Sequence, residues 1–100
     1  MELRYVDPNL KRLATEAAFT AGFPRGVVEE FRRSIQAVRA ARDAEDLLAL
    51  QSLGFEYLDG RRSGKVALRL QNGYRLVGEM EDLTVNLRAI EIKHETKGDL

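Results

Sequence analysis

The sequence predicts an α+β domain: an N-terminal strand and two helices packed on an antiparallel β-meander of about four strands. Three observations predict it. Apolar residues recur at three- and four-residue steps up to about residue 42, then at two-residue steps from residue 55. The helical pattern precedes the strand pattern, which gathers the helices on one face of a sheet. The chain has 100 residues, the length of one domain and enough to bury a core without staples.

Residues 1–6 alternate and predict an edge strand. Asp7 and Pro8 are a helix start, because Asp can cap and Pro suits the first helical position. Leu10, Leu13, Ala14 and Ala17 follow at helical spacing, and Gly22 is expected to end this helix. Phe23 and Pro24 restart the chain. Val27, Val28, Phe31, Ile35 and Val38 then mark an amphipathic helix to about Arg42. Its other face carries Glu29, Glu30, Arg32, Arg33 and Arg39, expected as solvated charge. Residues 43–46 make a turn or new cap, and Leu47, Leu48 and Leu50 predict a short helical turn on the core.

From Phe55 the period is two. Residues 55–58 predict a strand. In residues 65–70, Val66, Leu68 and Leu70 share one face and Lys65, Ala67 and Arg69 the other. Gln71, Asn72 and Gly73 supply a hairpin turn, since Asn-Gly tolerates positive φ. Residues 74–80 are the return strand, Glu81 and Asp82 turn again, and residues 83–92 form the last strand. Residues 95–100 are polar and expected to fray.

Composition narrows the chemistry. Without cysteine there is no disulfide, thiolate zinc site or thiol nucleophile. A metal site would need carboxylates almost alone, and none cluster suitably, so no metal and no cofactor is expected. The apolar runs are only a few residues long, which argues against a membrane span. The first residues carry an early acid, Glu2, and no apolar stretch of the kind a secretory signal needs, so the expected location is cytoplasmic. The net charge is zero, which argues against binding nucleic acid through an overall field.

Charge is nevertheless uneven. Residues 60–78 hold Arg61, Arg62, Lys65, Arg69 and Arg75 and no acid. Lys65 and Arg69 share a strand face, Arg61 and Arg62 precede it, and Arg75 begins the paired strand. All five could line one sheet surface and hold phosphates, with Tyr74 stacking a base. The same pattern arises where Lys and Arg merely solubilise an open sheet, and charge alone does not choose. Gly60 and Gly64 lie between strands, the wrong context for a phosphate loop before a helix. Ser34, Ser52 and Ser63 have no nucleophile-elbow setting.

Residues 58–76, LDGRRSGKVALRLQNGYRL, resemble the signature of HigB-like (plasmid maintenance system killer) toxins of the RelE/ParE superfamily. That signature runs roughly L-x-G-D-R-x-G-x-[YW]-S-I-R-[IL]-N-x-x-[WFY]-R-[IL], and the spacing matches without a gap. The likeness extends over about residues 27–94, with residues 1–26 matching weakly. It implies a RelE-like fold and a type II toxin–antitoxin toxin. It also implies a ribosome-dependent mRNA endoribonuclease that cuts by metal-independent acid/base chemistry. The implied partners are a cognate antitoxin, the ribosome and mRNA, with no small-molecule cofactor. The alternatives within the resemblance are a ParE-like gyrase inhibitor and a non-catalytic relative of the fold.

Under the nuclease reading, Arg69 and Arg75 clamp the scissile phosphate, His94 transfers protons and Lys93 assists. Arg61, Arg62 and Lys65 hold flanking phosphates, and Tyr74 stacks a base. The chain departs from the family pattern at four places. Gly54 and Tyr57 stand where some members carry His and Lys. Arg61 stands where Asp is usual, and Ile92 where the terminal D-Y-H motif begins, so that only His94 of that motif is kept.

Overall fold

The structure is a computed structural model and describes residues 1–92. Strand β1 (Glu2–Tyr5) leads into helices α1 (Pro8–Thr15), α2 (Arg25–Ala40) and α3 (Ala44–Ala49). Strands β2 (Glu56–Tyr57), β3 (Lys65–Arg69), β4 (Tyr74–Glu81) and β5 (Thr84–Ile92) follow. Short 3₁₀ turns at Gln51–Leu53, Arg61–Ser63 and Gln71–Gly73 join them. The sheet order is β1-β5-β4-β3-β2. β2 to β5 form the expected antiparallel meander, and β1 is the expected edge strand. It pairs parallel to β5, which makes the five-stranded sheet mixed.

The helices start where local chemistry favours it. The Asp7 side chain accepts from the Asn9 N–H at 2.9 Å, and Pro8 begins α1. Asp43 caps α3 by accepting from the Asp46 N–H at 3.2 Å. The apolar stripe of α2 packs Val27, Phe31, Ile35 and Val38 against Val66, Leu68, Leu76, Val85 and Leu87 of the sheet, all essentially buried. Leu10 and Leu13 of α1 complete this core.

α1 stops at Thr15, nearly two turns short of the expected end at Gly22. The cause is Arg32 on α2, which was expected to be solvated. Its guanidinium donates to the carbonyls of Leu13 and Glu16, both at 3.0 Å, and of Ala17 and Phe19, both at 3.3 Å. These bonds satisfy the helix-end acceptors and hold residues 16–19 away from a further helical turn. α2 ends at Ala40, with Ala41 already extended. There the Met1 ammonium donates to the carbonyls of Ala41, Arg39 and Val38 at 2.6, 3.2 and 3.3 Å, a cation set against the negative end of the helix.

Two features of the sheet position the site. The Gln71–Gly73 turn closes with Asn72 at φ 58° and Gly73 at φ 78°, and sets Arg69 directly opposite Arg75. A β-bulge between β4 and β5 shifts the register at Val77/Gly78. Before it, Met80 pairs with Val85 and Gly78 with Leu87; beyond it, Val77 pairs with Ala89 and Arg75 with Glu91. Arg88 is the extra residue, and its guanidinium reaches Glu79. Position 78 must be glycine, since a Cβ there would run into the Asn86 carbonyl. Among the described residues, no helix is long and apolar enough to cross a membrane.

Candidate functional site

The pleat sends alternate side chains of each strand to opposite faces. Val66, Leu68, Leu76 and Leu87 point to the helices, so Lys65, Ala67, Arg69, Arg75, Val77 and Glu91 occupy the outer face. Ala67 is buried even there, between its cross-strand neighbours Glu56 and Val77. A cavity of about 270 Å³ opens on this face, with Gly54, Glu56, Arg69, Tyr74 and Arg75 in its wall. It lies just below the roughly 300–1,000 Å³ of ordinary small-molecule pockets, a size suited to one anionic group and its immediate neighbours.

Each arginine is fixed by its surroundings. Arg69 lies across Gly54: a Cβ at position 54 would stand 2.6 Å from Arg69 Cβ and 3.1 Å from Cζ. Gly54 also has φ +62°, so conformation and space both call for glycine. The Arg69 Nη2 donates to the Gln51 carbonyl at 3.4 Å, a long bond that leaves most of the guanidinium available. Arg75 donates from Nε and Nη2 to one oxygen, Glu91 Oε1, at 2.9 and 2.7 Å. The outer face thus carries a cross-strand row, Arg69–Arg75–Glu91.

The other expected contacts are distributed differently. The acid-free stretch of sequence is not an acid-free surface, because acids from other segments reach its cations. Arg61 is drawn towards α3 by Glu45 at 2.8 Å, and its guanidinium lies 5.1 Å over the Tyr57 ring. The hydrogen bond to Glu45 holds the Arg61 pKa above its ordinary value. Lys65 lies 3.7 Å from Asp59, both exposed, and opposite Glu79 on β4. Arg62 sits exposed in the Arg61–Ser63 turn and has no ion pair among the described residues.

The five cations therefore do not line one surface. Arg69 and Arg75 meet at the cavity, Lys65 shares their face further along β3, and Arg61 and Arg62 belong to the neighbouring turn. Tyr74 also differs from expectation. It contributes to the cavity wall, but its ring meets Phe23 edge-on at 5.7 Å and 88°, on the helix side of the sheet. Lys93 and His94 lie outside the described residues.

Two residues that the sequence did not single out, Glu56 and Glu91, belong to this site, as does Gly54, which the sequence marked only as a departure from the family pattern. Glu56 brings a carboxylate to the cavity, Gly54 makes room for Arg69, and Glu91 engages Arg75. The chain matches no family model and no curated protein.

Proposed function

We propose that the protein is the toxin of a type II toxin–antitoxin system and a ribosome-dependent mRNA endoribonuclease of the RelE/HigB kind. The observation that carries this reading is the opposed pair Arg69 and Arg75 at a small cavity whose wall also holds the Glu56 carboxylate. Internal attack by a 2′-hydroxyl needs a proton acceptor, a proton donor for the departing 5′-oxygen, and cations for the charge that builds on phosphorus. Two guanidiniums supply the last requirement, in the forked geometry that suits phosphate oxygens. Glu56 is a candidate acceptor for the 2′-hydroxyl proton. His94 is the candidate donor and Lys93 its aid, on the resemblance alone. The reaction needs no metal. Lys65 and Arg62 are candidate contacts to flanking phosphates, and a cognate antitoxin would hold the toxin inactive.

A second reading draws support from one observation. Arg61, Lys65 and Arg75 already have carboxylate partners, which lowers the attraction for a polyanion and favours a ParE-like, gyrase-directed toxin. One experiment separates the two. The protein is induced in cells, and mRNA ends are mapped by primer extension. Cuts within translated codons support the nuclease. Growth arrest with intact mRNA, DNA damage and filamentation would replace it with the gyrase reading. Absence of any arrest would remove both.

A further inference from the structure

We infer that Glu91 is an internal counter-ion of the anion site, occupying Arg75 in the free protein and yielding it to an RNA phosphate; this rests on the nuclease reading above. Three observations converge on it. Both Arg75 donors go to a single carboxylate oxygen, at 2.9 and 2.7 Å. Arg75 is in the cavity wall, and the side chains of Arg75 and Glu91 are 25% and 46% exposed, so an incoming anion can compete for the pair. The third is the register. Extrapolating the Gly78↔Leu87 pairing without the bulge would set Ile90 opposite Arg75 and turn Glu91 towards the helices. With the bulge, Glu91 is opposite Arg75 on the outer face. Bulges recur where a side chain must be re-aimed, and here the re-aimed side chain is the one that engages Arg75.

The chemistry explains the arrangement. Arg69 and Arg75 are like charges directly opposite each other, which destabilises an empty site. Glu91 relieves that repulsion. A phosphodiester carries one negative charge and two free oxygens, the same charge and fork as a carboxylate, so it can take over the same donors. For Arg75 the exchange is one anion for another. The net gain on binding comes from Arg69, and the salt dependence of binding is correspondingly shallow.

Glu91→Gln tests this. The probe is a fluorescent 2′-O-methyl oligoribonucleotide, uncleavable because it lacks the free 2′-hydroxyl, titrated by anisotropy over a salt series. Glu91→Gln should bind about two- to fivefold tighter at low salt, the range of a partly exposed ion pair. Its salt slope should steepen by roughly 0.7, one additional phosphate contact on a single strand. The free variant should melt at a lower temperature than the parent. Glu81→Gln removes the same charge from the same strand pair without touching Arg75, since among the described residues Glu81 accepts from Asn86 alone, and should bind as the parent does. Equal or weaker binding by Glu91→Gln overturns the inference, as does an equal gain from Glu81→Gln. If the parent binds, Arg69→Ala weakens binding and Glu91→Gln changes nothing, the counter-ion role falls and the nuclease reading stands. If neither the parent nor Glu91→Gln binds, both fall.

Discussion

Arg69 is held by what is missing next to it. Gly54 offers no Cβ, and the arginine stem lies in the space a Cβ would fill. Gly54→Ala should therefore behave as a displaced Arg69: growth inhibition falls although no charge has been removed, and the left-handed backbone at residue 54 adds a cost of about 1–2 kcal/mol. Toxicity in induced cells, read beside urea unfolding, checks both effects. Arg69→Ala and Arg75→Ala should each lower cleavage on programmed ribosomes by about 10²–10³, the usual loss for one fixed donor to a transition state. Arg33→Ala, on the exposed face of α2 and 3.9 Å from Glu30, should be silent. Equal losses from all three would point to charge acting without position. His94→Gln should keep ribosome binding and lower single-turnover cleavage by about 10²–10⁴; cleavage at the parental rate would remove His94 from proton transfer. At this scale the sequence made Arg69 and Arg75 legible, because Asn72 and Gly73 fix the hairpin that opposes them. Glu56 was not legible, because only the pairing of a two-residue strand with β3 brings it to the cavity.

Among the elements, the apolar stripe of α2 and the alternation of β3 and β4 were readable from spacing. Two element ends were not. α1 stops early because Arg32, nineteen residues after Leu13, takes its last carbonyls. A contact of that range leaves no trace in local periodicity. Arg32→Ala should destabilise the fold by about 1.5–3 kcal/mol, the range for hydrogen bonds to a charged group, measured by urea unfolding. Arg32→Lys should restore little, since an ammonium cannot reach four carbonyls in a planar fork. An undiminished midpoint in Arg32→Ala would show that residues 16–19 hold their own course. The β-bulge is the second case. Gly78 is its one sign in the sequence, and a glycine within a strand has several readings. Missing it misplaces every later side chain of β5 by one face. Gly78→Ala should cost about 1–3 kcal/mol by overpacking against the Asn86 carbonyl. It should also loosen the Arg75–Glu91 pair, visible as a changed salt slope for the RNA probe.

For the whole molecule, the order of helical and strand periods was sufficient to predict the α+β class, and the chain folds as helices on one face of a sheet. The distribution of charge was harder to read. A window of sequence containing no acid suggested a basic face, yet Glu45 from α3, Asp59 from the preceding loop and Glu91 from β5 all reach into it. Within that window the charge is balanced pair by pair, and only Arg62 and Arg69 have no carboxylate partner among the described residues.

The parallel pairing of β1 with β5 has a consequence in time. Glu2 finds its partner in Thr84 and Tyr5 in Leu87, so the first strand waits for nearly the last one before it can dock. On a ribosome adding roughly 5–20 residues each second, that wait is about 4–17 s, plus the passage of residue 87 through the exit tunnel. Protease pulses on arrested nascent chains should find β1 open to cleavage until residues 84–87 have emerged. The first strand is thereby left without its neighbour until the part of β5 that pairs with it has been made.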